Sequence, residues 1–325
     1  MATTGIGLAL GGGAARGWAH IGVLKALLDA GIKPDVVAGT SIGAVVGGCY
    51  LANRLDVLER FARGLTRRRV FGYLDFNLAG SGLITGQRLC DRLKEHLGDR
   101  TIETLEAPFT AVATEIGTGH EVWLSRGRLV DAIRASYALP GVFRPVNING
   151  RWLFDGALVN PVPVSVCRAF GARYVIAVNL NTEMYGRVTA TPQVSAARHE
   201  TPPAESAVIE GKNGRAALKL LQRQLFGKGE EEVPGISTVM IEAFNIVQDR
   251  IARSRLAGDP PDVMISPRLG GIGPFEFHRA DELIERGAAT ALRAIEDITR
   301  DLHMRRLFQP RPNSLPAQSP EPRQR

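Results

Sequence analysis

Three stretches of this chain carry residues whose types and spacing could do chemistry. The first is Gly39-Thr40-Ser41-Ile42-Gly43, a G-x-S-x-G pattern. It lies between an apolar run, Val36-Val37-Ala38, and a run of small residues, and so reads as a nucleophile elbow. In such a turn the chain reverses steeply from strand to helix, the neighbours must be tiny, and the serine stands clear of the backbone. Amides at the helix N-terminus beneath it can stabilise negative charge on an attacked carbonyl. The second stretch is the loop Gly11-Gly12-Gly13-Ala14-Ala15-Arg16-Gly17. Glycines let backbone amides converge on one oxygen, because no side chain blocks the approach. The same loop could instead cradle a dinucleotide pyrophosphate or serve only as a turn. The strict G-x-G-x-x-G frame fails, since the sixth position from Gly11 is Arg16, and neither Asp29 nor Asp35 plainly ends the second strand.

The third stretch is Asp155-Gly156-Ala157, at the end of an apolar hairpin strand. A serine hydroxyl is a weak nucleophile and needs a base, usually a histidine ordered by an acid. The six histidines are His20, His96, His120, His199, His278 and His303. Outside the polar insertion that holds His199, His278 and His303 alone follow in the Ser–Asp–His order of α/β-hydrolases, a fold that builds more strands before its elbow than this chain has room for. Asp155 is the better candidate. A carboxylate in a largely dry pocket has its pKa raised toward a value useful for a base, and it could take the serine proton without an imidazole. Its other reading is a turn cap bonded to its own backbone.

The elements that must position these groups follow from apolar spacing. Residues 6–10 read as a buried strand, 18–30 as a helix with Ile21, Val23, Leu24, Leu27 and Leu28 on one face, and 36–38 as a second strand. Helices are expected over 41–51, 55–65, 85–97, 129–136, 164–170, 238–255 and 280–304, and further strands over 109–115, 120–124, 174–180 and 262–267. Asn149-Gly150 between 146–148 and 151–154 is a hairpin turn. Residues 70–85 are irregular and apolar, fitting either a substrate-facing flap or a core-covering loop. The alternation of strands and helices is the grammar of an α/β fold with a parallel sheet covered by helices, and both special loops leave the carboxyl ends of strands.

Composition narrows the classes. The chain has 325 residues, is 44% hydrophobic and carries a net charge of +7. That excludes global disorder and fits either a solvated basic surface or an attraction to anionic surfaces, such as a peripheral contact with membrane headgroups at Arg67 to Arg69. No basic stripe is interleaved with aromatics, so no nucleic acid is expected. Cys49, Cys90 and Cys167 are far apart and fit neither a disulfide framework nor a zinc site. With no signal peptide evident, the expected place is the cytoplasm, peripherally at the inner membrane face. Residues 36–53 carry no charge, but their glycines suit a buried strand and helix better than a membrane span. No Asp/His cluster has metal-ligand spacing, and no metal or other cofactor is called for.

Together the glycine loop, the Gly39–Gly43 elbow, Gly17-Trp18-Ala19-His20-Ile21-Gly22-Val23, and Asp155-Gly156-Ala157 leading to Asn160-Pro161-Val162-Pro163 resemble the patatin-like phospholipases, and within them the bacterial neuropathy-target-esterase group. The likeness covers residues 5–180 most closely and the rest to about 305 more loosely. It implies a patatin-like three-layer sandwich, with a mainly parallel central sheet covered by helices. It implies lipid acyl hydrolysis through a Ser–Asp dyad, with Ser41 as nucleophile, Asp155 as base, and Gly11, Gly12, Gly13 and Ala14 forming an oxyanion hole. Many relatives carry glycine where this chain has Ala14, a residue less suited to φ > 0. One domain over 5–305 is expected, with a polar, partly disordered insertion at 182–235 and a disordered Pro/Arg-rich tail at 306–325. Two other functions remain open at this point: a nucleotide-binding oxidoreductase, and a non-catalytic regulatory protein on the same fold.

Overall fold

The computed structural model describes residues 5–73, 86–182 and 236–307. The expectations for a flap beyond Tyr73, for the insertion and for the tail therefore fall outside the described residues. The sheet is mixed and mostly parallel, in the order β5-β6-β3-β2-β1-β7-β8, with β4 also pairing β3. Its strands are β1 (Ile6–Leu10), β2 (Val36–Thr40), β3 (Phe109–Glu115), β4 (Glu121–Leu124), β5 (Val146–Ile148), β6 (Arg151–Asp155), β7 (Tyr174–Val178) and β8 (Val263–Ile265). The pairs β1/β2, β1/β7, β2/β3 and β7/β8 run parallel, whereas β4, β5 and β6 join as antiparallel hairpins.

Side chains of a strand alternate between faces, and both faces here are apolar. Leu8, Leu10, Val37, Ile176 and Val178 pack into one large core, while Ala9, Ala38, Val175 and Ala177 pack into a second. Helices α1 (Ala19–Asp29), α2 (Ile42–Leu51), α3 (Leu55–Arg63), α4 (Arg67–Tyr73), α5 (Gln87–Leu97), α6 (Leu129–Tyr137) and α9 (Ala280–Leu307) supply the first core. Helices α7 (Val164–Ala169) and α8 (Ile236–Gly258) supply the second. The result is the three-layer arrangement expected of a patatin-like α/β fold.

Two expectations need correction. The amphipathic face expected on the first helix is in fact a helix buried almost all round, from Ala19 to Leu27, with Lys25 partly exposed. The cause is α9, which covers its outer side at very short range. A Cβ on Gly22 would stand 1.9 Å from the Ile284 carbonyl oxygen, and one on Gly287 would stand 2.1 Å from the Ala19 carbonyl oxygen. The start of the segment expected to be irregular after Val70 is also helical, since α4 extends to Tyr73 and buries Val70. The uncharged run 36–53 divides into β2 and α2, and among the described residues no helix is long and apolar enough to cross a membrane.

Candidate active site

Strand β3 gathers the site. Along one of its edges β2 runs parallel, ending with Thr40 opposite Val112, and β6 runs antiparallel, ending with Asp155 opposite Ala113. Strand β4 occupies the other edge. The carboxyl ends of β2 and β6 thus meet head to head over adjacent residues of β3. The groups that follow them, Ser41 and Asp155, are brought together across 114 positions of sequence.

Ser41 occupies a backbone conformation that side-chain-bearing residues rarely adopt, with φ 57° and ψ −124°. Such strain costs on the order of 1–3 kcal/mol and persists only where the surroundings over-determine it. Here they do. The Ser41 N–H donates to Ser136 Oγ at 2.9 Å, and that hydroxyl donates to the Val112 carbonyl at 2.6 Å. The elbow glycines are needed for close approach: a Cβ on Gly43 would stand 2.1 Å from the Leu10 carbonyl oxygen, and one on Gly39 would stand 2.5 Å from the Ala44 nitrogen. Sequence reasoning missed Ser136. Its one sign was a small hydroxyl on an otherwise apolar face of α6.

Ser41 Oγ donates to Asp155 Oδ2 at 2.6 Å, and the Ala157 N–H donates to Asp155 Oδ1 at 2.9 Å. Asp155 therefore does cap the short turn Gly156–Leu158 and at the same time holds the serine. It is 2% exposed, and this burial pushes its carboxyl up to about 7, against the two hydrogen bonds that favour the charged form. No histidine approaches the pair among the described hydrogen bonds. His20 is buried with Nε2 2.8 Å from the Gly11 carbonyl oxygen, and burial lowers its pKa to about 4, so it stays neutral and braces the glycine loop.

The loop residues do not all face the pair. The Gly11 amide donates to Val178 O at 3.0 Å and the Gly12 amide to Pro161 O at 2.9 Å, so both are committed to holding the loop against the sheet. Gly13 and Ala14 line the same pocket as Ser41, Ile42 and Asp155, and the amides of Gly13, Ala14 and Ile42 have no hydrogen-bond partner among the described residues. Of the four loop residues expected to form an oxyanion hole, Gly11 and Gly12 thus have engaged amides, whereas those of Gly13 and Ala14 are free of partners among the described residues. Ala14 takes φ 49° despite its methyl group. Arg16 anchors the loop from behind. It is buried, its Nε and Nη2 donate to Ile272 O at 3.0 and 2.8 Å, and its Nη1 reaches Asn181 Oδ1 at 3.4 Å. A dinucleotide fingerprint is poorly served: the Asp35 carboxylate is bonded to the amides of Gly5 and Ile6 at the start of β1, and the residue that ends β2 is Thr40.

Beside the pair opens a cavity of about 180 Å³, well beyond the 10–15 Å³ that one water needs. Its wall is mostly apolar, with Val45, Leu58, Leu93, Phe143, Phe244 and Phe277 among its residues. Sequence reasoning gave no sign of the part supplied by α8 and by residues 274–277, because nothing local marks a distant aromatic as a pocket wall. Among the described residues no group of three or more His, Cys, Asp or Glu is placed to hold a metal ion. Cys49, Cys90 and Cys167 are buried and unbonded.

The sequence model of patatin-like phospholipases matches residues 8–168, a span that contains the glycine loop, the elbow and Asp155. An NTE family protein of Mycobacterium tuberculosis is 36% identical over 328 residues, covering 90% of this chain and 91% of its own. A neuropathy target esterase of Drosophila melanogaster is 33% identical over 184 residues, covering 55% of this chain and 13% of its own. A lysophospholipase of Emericella nidulans is 34% identical over 182 residues, covering 54% of this chain and 12% of its own.

Proposed function

The chain belongs to the patatin-like phospholipase family of lipid hydrolases, and on that premise we propose that it cleaves carboxylic esters of lipids with a Ser41–Asp155 dyad. The observation that carries this reading is the 2.6 Å hydrogen bond from Ser41 Oγ to a buried carboxylate at the wall of an apolar cavity. In the proposed reaction Ser41 Oγ attacks the ester carbonyl carbon while Asp155 accepts its proton. The carbonyl oxygen gains negative charge and sits on the amides of Gly13, Ala14 and Ile42. The alkoxide leaves with the proton from Asp155, giving the free alcohol and an acyl-serine. Water, deprotonated by Asp155, then attacks the acyl carbon and releases the fatty acid and Ser41. Apart from the ester and one water, each step uses groups of this chain alone. The acyl chain lies along the apolar wall, and a lysophospholipid, phospholipid or short acyl ester meets these requirements equally. Arg67 to Arg69 open helix α4, whose Val70 lines the cavity, and we read them as the contact with an anionic membrane surface.

The test is ester hydrolysis with p-nitrophenyl and phospholipid substrates. Ser41→Ala and Asp155→Asn should each lose activity by several orders of magnitude while remaining folded, and a fluorophosphonate should label Ser41 in the parent protein. Full activity of Ser41→Ala would falsify the reading.

A further inference from the structure

We infer that the side chain of Asn245 is a substrate-binding group, whose amide N–H donates a hydrogen bond to an oxygen of the acyl ester. The inference rests on the hydrolase reading above. Asn245 lies on α8, outside the span matched by the family model, and lines the cavity that holds Ser41, Asp155, Gly13 and Ala14. Its helix runs along the glycine loop. Gln248 Oε1 stands 3.7 Å from the point a Cβ on Gly12 would occupy, and Ser41 Cβ stands 3.6 Å from the same point. Asn245 is three residues before Gln248, so the two share one helix face on successive turns. That face, together with Phe244, is turned to the cavity.

The two amides differ in how they are satisfied. Gln248 Oε1 accepts from Asn181 Nδ2 at 3.2 Å, and Asn181 Nδ2 is also 3.4 Å from the Gly12 carbonyl oxygen. Gln248 is thus part of the scaffold that supports the glycine loop. Asn245 Nδ2 is buried and has no partner among the described residues. Proteins seldom keep a buried donor unpaired, because its desolvation is then uncompensated. A leucine at this position would fill the same wall without that cost. A donor kept waiting in a substrate cavity implies a ligand that brings an acceptor. An ester brings two oxygen acceptors and no donor, which is the complement this wall lacks, whereas a hydrocarbon chain alone would leave the amide unpaired.

The test compares the full-length protein with Asn245→Leu, Asn245→Asp and Ser41→Ala, measuring kcat and KM on an acyl ester and thermal midpoint by calorimetry. Asn245→Leu removes an unpaired polar group at similar volume, so its midpoint should hold or rise. Its kcat/KM should fall by roughly tenfold or more, since the bound ester loses its donor. Asn245→Asp keeps the size and removes the donor, and should fall in parallel. Wild-type kcat/KM in either variant overturns the inference. So does a lowered midpoint in Asn245→Leu combined with full activity in Asn245→Asp, which marks a packing role. An inactive parent protein overturns the hydrolase reading and this inference with it. A Ser41-dependent parent beside an unimpaired Asn245→Leu overturns the inference alone.

Discussion

Asp155 sits between opposed effects. Burial raises its pKa to about 7, while Ser41 and the Ala157 amide pull it down. A base must be ionised to act, so kcat/KM should rise with pH through about 7 and level off above it, as a pH–rate profile would reveal. Stability should move the other way. The carboxyl of the unfolded chain releases its proton near pH 4, so between about 4 and 7 the folded state binds more protons than the unfolded one and stability falls as pH rises. Above pH 7 the full penalty is present, on the order of a few kcal/mol. Asp155→Asn removes it. Thermal scans at pH 5 and pH 8 should show the variant gaining on the parent as pH rises, even though it is inactive. Ala14 offers a second residue-scale case. At φ 49° its methyl group is strained, so Ala14→Gly should add up to about 1 kcal/mol in urea unfolding and keep its amide and its activity. The pairing of Ser41 with Asp155 was legible because each stands in a local pattern that a surface residue would not need. Which loop amides are free was not legible, because Gly11 and Gly12 are engaged by Val178 and Pro161, far away in sequence.

At the scale of elements, the meeting of β2 and β6 on one edge of β3 places Ser41 against Asp155, and Ser136 on α6 locks the contact. Ser136→Ala would take away the acceptor of the Ser41 N–H and a donor to the buried Val112 carbonyl. It should cost about 1–3 kcal/mol in stability and lower kcat more than KM, because the strained elbow is no longer held; steady-state kinetics with a thermal scan separates the two. The α1/α9 contact is as exacting. Gly22→Val would drive side-chain atoms into the Ile284 carbonyl, and denaturant unfolding should register a loss of more than about 3 kcal/mol, at the upper end of overpacking effects. Sequence periodicity located nearly every strand and helix here, since runs such as Tyr174–Val178 are buried on both faces and carry an unbroken apolar signal. It misjudged α1, because an all-buried helix and a one-faced helix differ only in what packs outside them. That partner, α9, lies some 250 residues further along the chain.

For the molecule as a whole, residues 8–168 and the C-terminal segment have different duties. The first part holds Ser41, Asp155 and the glycine loop. The second completes the cavity wall with Phe244, Asn245 and Phe277 and fixes the loop, where the Ala15 N–H donates to Pro274 O at 3.0 Å. This division has a consequence during synthesis. A ribosome-bound chain that has emerged only to about residue 180 contains its serine and its aspartate but has no closed cavity, and its glycine loop lacks the hydrogen bonds to Ile272 and Pro274. On the proposed reading, hydrolysis would therefore wait until the segment through Phe277 has left the exit tunnel. Stalled nascent chains of increasing length, treated with a fluorophosphonate, should stay unlabelled until residue 277 is clear of the tunnel, then become labelled over a narrow range of lengths.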